Sequence, residues 1–329
     1  MTRISTTVEL FFTQRLVKQR QASAHTIAAY RDTLRLLFEF VQHRTSKSPT
    51  EFDWEDLEHD TISAFLDDLE LTRKNSPRTR NARLAAIRSL FSYAAIRHPE
   101  HAGLIAAVLA LPPKRFEQST ISYLTPPEVD ALLAAPDRSR WEGRRDHALF
   151  MLAIQTGLRV AELTSLQCAD LSFSPTAYVH CLGKGRKERA IPLTTSTAQT
   201  LHLWITELNA APQTPLFPTR KGRHLSRDAV QQRLTTHSQT AATTCSTLQN
   251  KRISPHTLRH TAAMTLLRAG VDATVIALWL GHADIRSTNA YLQADMTIKE
   301  RALAMMTPIT TVPGRYTPPD ELLAFLNSL

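Results

Sequence analysis

Pro255-His-Thr-Leu-Arg-His260 is the stretch on which the reading of this chain turns. Proline has a fixed φ and no N–H to lose, so Pro255 suits the first position of a helix. His256 and Arg259 then stand three apart and share one helical face. A guanidinium stays charged at any working pH and matches a phosphate bidentately. A histidine beside it can donate a hydrogen bond or carry a proton. His256 and His260 could also form half of a zinc site. A metalloprotease helix requires Glu at position 257, where this chain has Thr, so zinc is the weaker reading.

Outward from this stretch lie further pieces. Thr156-Gly-Leu-Arg-Val-Ala-Glu162 supplies Arg159 among Leu158, Val160 and Leu163. Arg159 is expected to project from a packed helix, with Glu162 on the same face holding it. Ala177–Cys181 and Glu188–Leu193 carry the one clear β signal, joined by the turn Gly183-Lys-Gly-Arg186. Lys184 at that turn could reach a DNA groove. Its rival reading is a solvated turn whose Arg186, Lys187 and Arg189 merely steer DNA. Gly281 in Leu280-Gly-His282 is placed to end a helix, and Tyr291 follows nine residues after His282. Tyrosine ordinarily titrates near pH 10, so a nucleophilic role for Tyr291 needs cationic neighbours or a base.

These residue types suit displacement at a phosphodiester, which builds negative charge on the non-bridging oxygens. Many nucleases meet that charge with two metals held by clustered carboxylates. The best acidic cluster here, Asp67-Asp-Leu-Glu70, falls on a predicted exposed helix face. No metal site and no cofactor is therefore expected. Fixed cations, Arg159 and Arg259 above all, would do the work instead.

In order and spacing the pieces resemble the tyrosine recombinase (phage integrase) family, over about residues 5–305. The layout is most similar to its compact Xer-like and transposon-borne members. The resemblance implies a mainly α fold: an N-terminal four-helix, SAM-like core-binding domain, then a mostly helical catalytic domain with a small β-sheet. It implies the catalytic set Arg159, Lys184, His256, Arg259, His282 and Tyr291, with Glu162 in support. Tyr291 would attack the scissile phosphate of DNA, form a 3′-phosphotyrosyl link and release a 5′ hydroxyl. Lys184 would protonate the leaving oxygen, and His282 would orient the phosphate or assist with protons. A 5′ hydroxyl from a partner duplex would reverse the step without ATP or metal. The implied partner is double-stranded DNA with specific recombination sites. On synapsed DNA the implied assembly is a homo-tetramer, or a hetero-tetramer with a related recombinase. Three rivals stand beside this reading: type IB topoisomerase relaxation of one duplex, a silent DNA-binding regulator, and a metal-dependent nuclease.

Composition agrees with a nucleic-acid partner. The net charge is +9 over 329 residues, a length comfortable for two domains. Nine acids fall between Glu51 and Glu70, and six basic residues follow between Arg73 and Arg88. Arg73, Lys74, Arg78, Arg80 and Arg83 are thus candidate DNA contacts at the start of a helix, with Arg186 and Lys187 adding to them from the turn. Cys168, Cys181 and Cys245 lack metal-type spacing and read as reduced thiols. The longest apolar stretch, Ala102–Pro113, is too short to cross a bilayer. A cytoplasmic, nucleoid-associated protein is expected, with no signal peptide, no membrane contact and no arm-binding module ahead of residue 5.

Four helices are expected in residues 1–110: one capped by Ser5, then Thr26–His43, about Thr61–Leu71, and one capped by Ser76 with Pro77 in its first turn. Residues 111–122, with Pro112 and Pro113, read as a linker. A catalytic domain over 123–310 opens on a helix capped by Thr125. It turns helical again from about Ser226, broken by a polar patch near Thr235–Thr247. A tail over 311–329 ends in the short amphipathic segment Asp320–Leu329, placed to dock on a neighbouring protomer or back in cis. The two main domains are expected to clamp duplex DNA.

Overall fold

The computed structural model describes residues 4–116, 121–183, 188–281, 291 and 326. The chain divides into two compact units, Met1–Ser119 and Thr120–Leu329.

In the first unit, α1 (Ile4–Leu10) continues into a π-wound segment, Phe11–Gln19. Ser5 therefore lies inside the helix rather than capping it. α2 (Ala24–Thr45) starts two residues earlier than expected, because the Ser23 hydroxyl accepts the N–H of Thr26 and sets the cap there. α3 spans His59–Leu71, and α4 (Pro77–Ala94) opens on Ser76 and Pro77 as the sequence predicts. A fifth helix, α5 (Ala102–Ala110), joins the expected four and buries Ile105 and Val108. Its end is tied down by Arg88, which donates to the Leu111 carbonyl. Phe11, Leu37, Phe65, Leu90 and Phe91 fill the centre of this core. Each such side chain contributes about 1.5–3 kcal/mol on burial.

The second unit is built around α7. α6 (Pro126–Ala134) begins with Thr125 as cap, its N–H donating to Glu128 Oε2 at 2.8 Å. α7 (Trp141–Thr156) buries Ala148, Leu149, Phe150, Leu152 and Ala153. α8 is the short helix Val160–Ser165. A three-stranded antiparallel sheet follows in the order β1 (Leu171–Ser172), β2 (Tyr178–Leu182), β3 (Glu188–Pro192). The two-residue β1 lay below the period-2 signal of the sequence. Helices α9 (Thr195–Leu208), α10 (Arg227–Ala241), α11 (Pro255–Arg268) and α12 (Ala273–Leu280) complete the unit. α7 packs on α6, α9 and α11, and α11 packs on α12. The polar patch breaks the chain later than expected. α10 runs on to Ala241, and within it the hydroxyls of Thr235 and Thr236 are taken up by the carbonyls of Gln231 and Gln232.

Two glycines close the ends that face each other. Gly157 ends α7 and Gly281 ends α12, each with φ of +63°. A Cβ at Gly157 would stand 2.5 Å from Leu280 Cδ2 and 3.0 Å from Ala262 Cβ. Glycine thus provides both the left-handed turn and the room for α7 to end against α11 and α12. Among the described residues no helix is long and apolar enough to cross a membrane. Most of the tail lies outside the described residues, Leu326 alone being described there, helical and exposed.

Candidate active site

The ends of α7 and α12 present carbonyls, and two arginines take them. Arg259, one turn into α11, donates from Nη1 to the Gly157 carbonyl and from Nη2 to the Leu280 carbonyl, each at 2.7 Å. Arg159 donates from Nη2 to the Gly281 carbonyl at 2.9 Å. Carbonyls at a helix C-terminus carry partial negative charge, so they suit a guanidinium. Trp279 adds a bond from its indole N–H to the Thr156 carbonyl at 3.1 Å.

Arg159 is not inside a helix. It is the N-cap residue of α8, with ψ of 148°, because the turn at Gly157 has not yet entered helical geometry. Glu162 meets it as the third residue of a capping box: Oε2 accepts the Arg159 backbone N–H at 2.8 Å, and Oε1 accepts Nη1 at 3.0 Å. Glu162 also takes Arg189 of β3, with Nη2 at 2.8 Å and Nη1 at 3.3 Å. The Glu162 side chain is 6% exposed, that of Arg189 13% and that of Arg159 35%. Burial pushes the Glu162 carboxyl up. The hydrogen bonds and charges of Arg189 and Arg159 outweigh it and hold the group below the ordinary value.

Arg259 is buried, and its pKa falls to about 10, through burial first and then repulsion from Arg159. It remains a cation at neutral pH. His256, on the same face of α11, is held below the ordinary histidine value by desolvation of its ring and then by Arg259 and Arg159.

Tyr291 is 3% exposed and packs on Ala263, Met264, Leu267, Ile276 and Leu280. Its Oη stands 3.0 Å from His260 Nδ1. Burial raises its pKa, and the charges of Arg259 and Arg159 act against that rise. The rings of His256 and His260 lie edge to face, with centroids 4.1 Å apart. Arg159, His256, Arg259 and Tyr291 therefore form one electrostatic group, with Glu162 beneath Arg159. Lys184, Arg186 and Lys187 lie outside the described residues, in the connection between strand ends paired at Leu182 and Glu188. His282 also lies outside them, directly after Gly281.

Sequence reasoning did not single out two participants. Arg189, a steering charge by sequence, shares the inward face of β3 with Ile191, the period-2 signal that places it inside. His260, by sequence a candidate only for zinc, stands one turn from His256 on the same helix face. Among the described residues no group of three or more His, Cys, Asp or Glu could hold a metal ion.

In the first unit, Arg73, Lys74 and Arg78 are exposed and Arg83 is half-buried. Burial, then the charge of Arg73, lowers the Arg83 pKa. Arg80 is different: it is 6% exposed, with Nε 3.5 Å from Glu70 Oε2. Its helix position turns it toward α3, and Glu70 is accordingly not on an exposed face. Lys114 also reaches Glu70.

Residues 122–297 match the phage integrase family, and residues 10–98 match the N-terminal SAM-like domain of phage integrases. The chain belongs to the phage integrase family and is a tyrosine site-specific recombinase. A Sinorhizobium fredii protein described as an integrase/recombinase, y4rC, is 51% identical over 98% of this chain and 97% of its own length. The tyrosine recombinase XerC of Pelobacter propionicus is 32% identical over 87% of this chain and 90% of its own. Among solved structures, the Tn1549 transposon integrase in complex with transposon right end DNA shares the fold with a TM-score of 0.70. It is 16% identical and covers 92% of this chain and 99% of its own. XerH bound to a palindromic difH substrate, a post-cleavage complex, gives a TM-score of 0.68 at 22% identity, over 87% of this chain and 81% of its own.

Proposed function

We propose that Tyr291 is the nucleophile of this recombinase and that Arg159 and Arg259 hold the scissile phosphate. One observation carries the reading: a buried phenol lies within the field of two arginines fixed by main-chain carbonyls. Such donors need no reorganisation when charge develops, which is where electrostatic catalysis gains most. Tyr291 Oη attacks phosphorus, the bond to the 5′ oxygen breaks, and the 3′-phosphotyrosyl bond conserves the energy of the phosphodiester. His256 donates a hydrogen bond to the phosphate. By family resemblance Lys184 protonates the leaving 5′ oxygen, and His282 orients the phosphate.

The substrate is duplex DNA carrying specific sites. Solved relatives of this fold include recombinases on DNA and a lambda integrase tetramer bound to a Holliday junction. They support a four-protomer synaptic complex for this chain, of one kind or paired with a related recombinase. Residues 1–110 supply grip through Arg73, Lys74, Arg78 and Arg83, residues 111–122 link them to a catalytic domain over 123–310, and residues 311–329 form a docking tail. The place of action is the cytoplasm, on the nucleoid.

The test is a nicked suicide duplex, which traps the covalent adduct. Tyr291→Phe should bind that duplex normally and form no adduct. Adduct formation by the variant would remove Tyr291 from the role.

A further inference from the structure

We propose that His260 is a catalytic residue of strand cleavage, the base that takes the proton of Tyr291. The inference rests on the reading of Tyr291 as nucleophile. It starts from the 3.0 Å contact between His260 Nδ1 and Tyr291 Oη. The two rings meet edge to face, with centroids 5.4 Å apart at 67°, so the imidazole edge points at the phenol oxygen rather than stacking on the ring. A phenol O–H donates, and a neutral imidazole nitrogen without hydrogen accepts.

The chemistry needs such a group. Attack by Oη on phosphorus forms the O–P bond, breaks the P–O5′ bond and frees one proton from the phenol. The departing 5′ oxygen takes its own proton from a separate acid, so the two transfers need two groups. Arg159 and Arg259 are cations and cannot accept the phenol proton. His256 stands one turn earlier on α11, its ring edge to face against His260. His260 Nδ1, 3.0 Å from the phenol oxygen, is placed to accept that proton.

The charged groups around the phenol come from several elements. α11 itself contributes His256 and Arg259. The α7–α8 junction brings Arg159 and Glu162, and β3 brings Arg189. α12 carries no titratable side chain. Glu162 is already committed to Arg159 and Arg189, so the field at the phenol is positive. The charges of Arg259 and Arg159 favour the phenolate that forms as the proton leaves. The arginines and His260 therefore act on opposite ends of the same O–H bond.

The test is single-turnover adduct formation on a nicked suicide duplex between pH 5.5 and 9, with wild-type protein and His260→Asn. Asparagine keeps a hydrogen-bonding group beside Oη but takes no proton. The variant should bind the duplex normally and form adduct about 10²–10³-fold more slowly, the range of a lost general base. The wild-type rate should reach a plateau near neutral pH, whereas the variant rate should keep climbing as hydroxide replaces the base. A duplex with a bridging 5′-phosphorothiolate, whose sulfur leaves without a proton, should leave the defect unchanged. Rates within threefold of wild type, an unaltered pH profile, or rescue by the sulfur leaving group would each overturn the proposal. His260→Gln serves for the same measurements if the asparagine variant melts early. A fast His260→Asn with a dead Tyr291→Phe removes this inference alone, while a live Tyr291→Phe removes the reading beneath it.

Discussion

Arg159 and Arg259 converge on one turn of the chain: the Gly281 carbonyl accepts Arg159, and the adjacent Leu280 carbonyl accepts Arg259. Two like charges are held side by side by neighbouring peptide groups. Main-chain carbonyls cannot rotate away as side chains can, so the pair is set before any phosphate arrives. Each arginine differs in what else depends on it.

Replacing Arg259 by alanine unpairs two carbonyls as well as removing a cation. Folding stability should fall by about 1–3 kcal/mol, the cost of unmet buried polar groups. Arg159 is more open to solvent, so Arg159→Ala should melt near wild type. Both variants should lose about 3–4 kcal/mol of barrier lowering in adduct formation. Cleavage by the wild type should persist in EDTA. Loss in EDTA with recovery in magnesium would show metal-dependent chemistry.

The two left-handed glycines should differ in tolerance. Gly157→Ala drives a methyl into Leu280 and Ala262, both packed, and should cost about 2–4 kcal/mol from strain and overpacking together. Gly281→Ala meets the end of Arg189 at 2.6 Å, a side chain that can shift. It should cost about 1–2 kcal/mol, mainly backbone strain, yet disturb the Arg189–Glu162 pair and slow cleavage. Urea melts and single-turnover rates on the same preparations separate the two effects. Equal stability losses would contradict the packing described around Gly157.

Glu128 links the second unit to its acid stability. It is 1% exposed and accepts Lys251 Nζ, the Thr247 hydroxyl and the Thr125 N–H. Burial raises its pKa, but Lys251 and the other donors prevail and bring it to about 2. A depressed carboxyl contributes its full stability above the unfolded value of about 4.3 and loses it as pH falls toward the folded value. Wild-type stability should therefore drop between about pH 4.5 and 2. Lys251→Ala should lower stability at pH 7 by about 1.5–3 kcal/mol and flatten that acid slope. An unchanged slope would detach Lys251 from the effect.

DNA affinity should depend on both units. Residues 121–329 alone should fold, since their cores are internal to the second unit. They should bind duplex more weakly, with a salt slope smaller by roughly one per lost phosphate contact. Equal affinity of fragment and whole chain would leave Arg73, Lys74, Arg78 and Arg83 without a role in grip.

Much of this was legible in the residues. Ser76-Pro77, Thr125 and Pro255 each announce a helix start, and each helix begins there. Those signals are local, a cap and a fixed φ. Arg159, His256, Arg259 and Tyr291 were visible as types at a spacing. The manner of their support was not. The carbonyls of Gly157, Leu280 and Gly281 bear no side-chain signature, and helix ends meet only through tertiary packing. Arg80 shows the opposite limit. Composition reads it as one more surface cation, whereas its turn of α4 faces Glu70. Arg189 and His260 had only weak local signals, a shared strand face with Ile191 and a one-turn offset from His256, while their partners Glu162 and Tyr291 lie 27 and 31 residues away.

The bonds of Arg259 to Gly157 and of Arg159 to Gly281 span 102 and 122 residues. Contacts that distant carry the entropy of closing the intervening chain, which packing must offset. Each arginine therefore joins elements from opposite ends of the second unit, and a chain cut between α8 and α11 would lose the arginine pair together with the packing that fixes it.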